Sequence, residues 1–122
     1  MTDHLIHRRA AMLPTVEEAE NELVLRALLS PEESAADLSV TWVELAGHHR
    51  RLVTDRSTRL YLVVDGRGTI TVDEEILEVE RGDLVVIPPG TPYHLDGDLI
   101  YVVMNQPGFR EGDDRYLEPP GV

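Results

Sequence analysis

Chemistry in this chain has to come from a short menu of side chains. There is no Cys, and all 11 basic side chains are Arg. A thiol nucleophile, a thiolate metal site, a disulfide and a lysine Schiff base are therefore excluded. Imidazole, phenol, carboxylate and guanidinium remain, and they gather in three stretches: His48-His49-Arg50-Arg51 with Asp55, Arg59 and Tyr61 beyond it; Tyr93-His94; and Tyr101 with Asn105. A histidine moves protons near neutral pH. A tyrosine hydroxyl serves as an acid or as a donor to an oxyanion. A guanidinium holds a carboxylate, phosphate or enolate. The preference for Arg over Lys is, taken alone, a matter of genome composition.

The elements that must carry these residues read as short strands. Apolar or alternating runs cover Glu22 to Ser30, Leu38 to Ala46, His49 to Thr54, Thr58 to Asp65, Gly68 to Asp73, Ile76 to Glu80, Leu84 to Pro88 and Leu99 to Asn105. The first, ELVLRALLS, fits a helix as well as a strand, because Leu23, Ala27 and Leu28 share a helical face. Asp65-Gly66 and Asp96-Gly97 have the composition of hairpin turns. Arg81-Gly82-Asp83 and Pro88-Pro89-Gly90 also read as turns. Residues 1–21 form a leader in which Thr15 and Glu18 have capping-box spacing for a short helix. Residues 107–122 read as an extended polar tail, leaving 22–106 as the folded domain. Seven or eight closely spaced strands predict an all-β sandwich or barrel. LYLVV and DLVVIP are apolar at every position, which predicts strands covered on both faces and, in so acidic a chain, a homodimer.

Composition narrows the partners. The 122 residues carry a net charge of -12. Such a surface repels phosphate backbones, so no nucleic acid is expected. No apolar run is long enough to span a bilayer, so no membrane partner is expected, and no secretion signal is evident at the start. The expectation is a cytoplasmic protein with a small-molecule substrate or ligand.

The segment from Gly47 to Asn105 resembles the cupin superfamily. Gly82-Asp83-Leu84-Val85-Val86-Ile87-Pro88-Pro89-Gly90-Thr91-Pro92-Tyr93 fits that family's second motif, G-x-x-x-x-x-P-x-G-x-x-H. Gly47 and Gly66 stand at the spacing of the two glycines in the first, G-x-x-x-x-x-H-x-H-x-x-x-E-x-x-x-x-x-x-G. The resemblance implies a single cupin barrel, that is, a double-stranded β-helix or jelly roll. It also marks what is missing. The ligand positions of the frame hold Val53, Asp55, Arg59 and Tyr93. A guanidinium cannot ligate a cation, so the expectation is no metal at the usual site and no cofactor.

In that frame Arg59 replaces the metal's charge, with Asp55 to orient it or act as a base. Tyr93 stands at the barrel mouth as acid or oxyanion donor. His94 is the alternative base if the register shifts by one. Regular alternation places His49 and Arg51 on the face of Asp55, and gives Tyr61, Tyr101 and Asn105 the parity of cavity residues, with Trp42 beside them. By resemblance to metal-free cupins, the expected function is a metal-independent isomerase, cyclase or lyase. A binding module without catalysis is the alternative. A metal enzyme with ligands rearranged onto His49, His94 and Asp55 is the third reading. Acidic residues of the leader, Glu18 among them, are expected in solvent or at an interface.

Overall fold

The structure, a computed structural model, describes residues 4–120. Eight strands account for most of it: β1 (Val16–Glu18), β2 (Leu23–Leu29), β3 (Ser39–Thr54), β4 (Thr58–Val72), β5 (Glu75–Glu80), β6 (Leu84–Ile87), β7 (Tyr93–Gln106) and β8 (Asp114–Tyr116). The pairing order is β1-β2-β3-β7-β4-β5, with β6 on β4 and β8 on β3. Every pairing is antiparallel. This is an all-β cupin barrel, as the sequence predicts. ELVLRALLS is the strand β2, because its apolar side chains pack into the barrel wall beside β3.

Two expected hairpins are not hairpins. Asp65-Gly66 lies inside β4 and Asp96-Gly97 inside β7, and both strands run on through them. Gly97 is opposite Gly47 on one side and Gly68 on the other. An added Cβ at Gly97 would lie 2.7 Å from the Arg67 carbonyl oxygen and 2.7 Å from the Gly68 Cα. The glycines therefore let three long strands bend together at close approach, instead of reversing the chain. The β4–β5 reversal falls at Asp73-Glu74. The turns at Gly82 and Gly90 lie where the sequence puts them, both with positive φ.

Alternation sets the interior. Arg59, Tyr61 and Val63 on β4 and Tyr93, Leu95, Leu99, Tyr101 and Asn105 on β7 are all buried. Leu52, Ile70, Ile87 and Leu95 have no exposed surface and form the apolar core beneath the tyrosines. The outer face differs. Leu62, Leu84 and Val86 are 39%, 57% and 51% exposed and adjoin across β4 and β6.

The leader and the tail are parts of the barrel wall. β1 pairs with β2, where the capping-box spacing predicts a helix. The two-way capping box occurs instead at Ser30 and Glu33. The tail returns to pair Thr54 with Asp114 and Leu52 with Tyr116. Arg56 fixes it through the Gly108 carbonyl (2.7 Å) and the Asp113 carboxylate (2.8 Å). No helix among the described residues is long and apolar enough to cross a membrane.

Candidate functional site

A cavity of about 330 Å³ opens into the barrel between β2, β3, β4, β7 and the returning tail. Its polar lining comprises Glu18, Thr41, His49, Arg59, Tyr61, Tyr101, Asn105, Glu111, Asp114 and Tyr116. Leu23, Leu25, Val43, Val103 and Phe109 supply the apolar part. The volume lies at the lower end of the roughly 300–1,000 Å³ usual for small-molecule sites.

Arg59 anchors one wall with its side chain 5% exposed. Its Nε donates to Asn105 Oδ1 at 2.6 Å, one terminal nitrogen to the Tyr93 hydroxyl at 2.8 Å, and the other to Asp114 Oδ1 at 2.7 Å. Burial works against this charge, but Tyr93, Tyr61 and Asp114 outweigh it, and the guanidinium pKa lies well above its usual value. Asp55, the partner expected from the cupin frame, is not there. The chain leaves β3 at Thr54, alternation stops, and Asp55 points into solvent to pair with Arg115 at 3.3 Å. Asp114 takes its place from a strand that reads, in sequence, as tail.

Tyr93 is fully buried and does not line the cavity. Its hydroxyl lies between Arg59 and Tyr61, whose own hydroxyl is 2.6 Å away. Burial pushes both phenols above their ordinary range. Tyr93 thus positions the wall from behind. Tyr101 also lines the cavity, with its ring edge-on to Tyr61 at 5.1 Å between centroids. Burial raises its pKa too, so it is a phenol, not a phenolate, at neutral pH.

His49 forms the facing wall, 7% exposed. Its Nδ1 lies 3.0 Å from the Arg50 carbonyl oxygen. A carbonyl only accepts, so Nδ1 carries the proton and Nε2 keeps its lone pair. The hydrogen bond of this ring to a described residue is made through Nδ1, and the ring lines the cavity. Burial lowers the imidazole pKa to about 4, and the pull of the Arg50 carbonyl and Asp114 does not offset it. The ring is neutral at pH 7 and stacks near Tyr116, with centroids 6.2 Å apart.

Three further expectations are corrected. The β3–β7 register shifts between His49 and Leu52. That bulge turns Arg51 outward, where it donates to the Asp73 carbonyl, and buries Arg50 against Asn21 instead. His94 keeps the parity opposite to Tyr93 and lies outside the cavity, 3.3 Å from Asp96 and beside His48. Trp42 has the parity opposite to Val43, and its indole donates to Glu44 at the surface (3.3 Å). His49, His94 and Asp55 are thus dispersed over three separate places.

Sequence reading missed Glu18, Glu111, Asp114, Tyr116 and Asn21. Asn21 is fully buried and joins three segments, donating to Glu18 (2.6 Å) and the Tyr116 hydroxyl (3.0 Å) and accepting from Arg50 Nε (2.9 Å). The one signal for the tail was the alternation of Asp114 and Tyr116 in DDRY.

A metal ion does not fit the residues present. Of the four positions in the cupin frame, Val53 is apolar, Asp55 is in solvent, Arg59 is a fixed cation and Tyr93 is engaged with it. Among the described residues, no three His, Asp or Glu side chains converge on a common point.

A barrel of this topology is a cupin barrel, and comparison with known proteins agrees on the fold. The family model for the cupin domain matches residues 46–105. Residues 46–105 thus form a cupin domain, and the barrel as a whole has the cupin fold. An uncharacterised protein of Methanocaldococcus jannaschii, MJ1618, is 33% identical over 66 residues, 51% of this chain and 53% of its own. The match thus spans about half the length of that curated relative. Streptomyces Pac13, described as a nucleoside dehydratase, superposes with a TM-score of 0.82 at 21% identity, over 97% of this chain and 95% of its own. It has also been solved with uridine, in variants that replace one histidine or either of two tyrosines. Ectoine synthase from P. lautus superposes with a TM-score of 0.77 at 15% identity, over 97% of this chain and 94% of its own.

Proposed function

We propose that this cupin is a metal-independent enzyme of the lyase or isomerase type, which removes a proton next to a carbonyl in a small polar molecule. The observation that carries the reading is His49. Its proton is committed to the Arg50 carbonyl, its Nε2 keeps the lone pair, and burial keeps it neutral where a base must be neutral. In the proposed step Nε2 takes the proton, and the electron pair moves toward the carbonyl, whose oxygen is held by the Tyr101 hydroxyl and the Arg59 edge. In a dehydration the pair then forms a C=C bond, the β-hydroxyl leaves, and the imidazolium returns its proton to make water. In an isomerisation of an α-hydroxy carbonyl, the enolate oxygen takes the proton of the adjacent hydroxyl, the C=O re-forms at that carbon, and the imidazolium returns its proton to the former carbonyl carbon. The description of Pac13 as a nucleoside dehydratase, on the same barrel, supports the first course and a nucleoside- or sugar-like substrate.

The test is hydrogen exchange. Carbonyl-bearing sugars and nucleosides are incubated with the protein in D₂O and followed by proton NMR. One or more should lose an α-proton signal with the wild type, and the loss should stop with His49→Gln. Binding without exchange in every compound would return the chain to a binding module.

A further inference from the structure

The cavity's charge is unlike that of a site for phosphorylated metabolites. Its lining contains one cation, Arg59, against three carboxylates, Glu18, Glu111 and Asp114. Asp114 is spent on Arg59, since both its oxygens face the guanidinium. Glu18 is not spent. Its Oε1 accepts from Asn21 at 2.6 Å, and its Oε2 has no hydrogen bond to a described residue. Glu111 stands exposed in the tail with no ion pair among the described residues. The next cation, Arg50, lies behind the wall, with its guanidinium carbon 3.8 Å from the centre of the Tyr116 ring.

From this lining we infer that the pocket selects uncharged, hydroxyl-rich ligands such as nucleosides and free sugars over their phosphate esters, and that Glu18 and Glu111 are the residues that discriminate. The inference rests on the proposed site and names its substrate class. The free carboxylate oxygens accept hydrogen bonds from ligand hydroxyls, which are donors. A phosphate monoester, whose second pKa is about 6, is chiefly a dianion at pH 7.5, and its phosphate then has no proton to give a carboxylate and meets like charge instead. The surrounding chain, at -12, adds to the repulsion at long range. Glu18 and the Tyr116 hydroxyl share the Asn21 side-chain amide, which holds the carboxylate at the cavity wall.

The experiment uses ribose 5-phosphate and uridine 5′-monophosphate as probes and the His49 ring signals in NMR as the readout, at pH 7.5 and low salt. The wild type should show no saturable shift from either anion at millimolar concentrations. Glu111→Gln and the double variant with Glu18→Gln should gain one, with affinity for ribose 5-phosphate rising at least about tenfold. Saturable binding of either anion to the wild type at His49 overturns the inference. So does a double variant, folded by its NMR spectrum, that still excludes both. Failure of the proposed catalysis would appear separately, as absence of deuterium exchange with neutral carbonyl compounds.

Discussion

Replacing His49 with Gln should remove a specific part of the protein's acid sensitivity. The folded imidazole holds its proton only below about pH 4, whereas an unfolded chain holds it below its ordinary value of 6.5. Between those values the unfolded state binds more protons, so stability falls as pH falls. The contribution is fully present above pH 6.5 and lost progressively toward pH 4. Displacement of the equilibrium from 6.5 to about 4, at about 1.4 kcal/mol per decade, makes the loss about 3 kcal/mol. Carboxylates also titrate there, so the informative quantity is the difference between two curves. Urea unfolding of wild type and His49→Gln at pH 7, 6, 5 and 4 should show the wild type losing about 3 kcal/mol more than the variant over that range. Parallel curves, or an imidazole titrating near 6.5 by NMR, would refute the reasoning.

Three other outcomes follow from the geometry. Arg59→Met leaves Asp114 facing the cavity without its cation and frees the Tyr93 and Asn105 contacts, so unfolding free energy should fall by about 3–5 kcal/mol in denaturant titration. Gly97→Ala drives a Cβ to 2.7 Å from the Arg67 carbonyl oxygen at a φ of 124°, and should cost at least about 2 kcal/mol by the same measurement, whereas Gly82→Ala, with open space at its Cβ, should cost less. The homodimer expected from the all-apolar strands would close over Leu62, Leu84 and Val86; sedimentation velocity should give twice the 13.7 kDa chain mass, and Leu84→Glu with Val86→Glu should give the single chain.

The barrel was legible because its signals are local. Period-two burial from Arg59 to Val63 and the glycine–proline corner at Pro88-Pro89-Gly90 each state their geometry within a few residues. The inward direction of Arg59 follows from the same alternation. What escaped depends on contacts far apart in sequence. Asp114 meets Arg59 only because the tail returns to β3, and a DDRY run looks like any solvated segment. The bulge after His49 reverses the parity of Arg50 and Arg51, and nothing in HHRR announces it. Gly66 and Gly97 carry hairpin composition, yet their positive φ serves a bend inside a strand, a distinction that depends on the neighbours across the sheet. His49 was visible as a candidate, but its tautomer and low pKa arise from burial and one carbonyl.

The claim underlying this account is that an imidazole, with no inorganic cation, handles the proton. Deuterium exchange by protein stripped with a chelator and checked by elemental analysis tests it most directly. The account predicts that the stripped wild type exchanges as fast as before and that stripped His49→Gln does not exchange. Exchange that disappears on stripping and returns with a divalent metal, or that survives in His49→Gln, would contradict it.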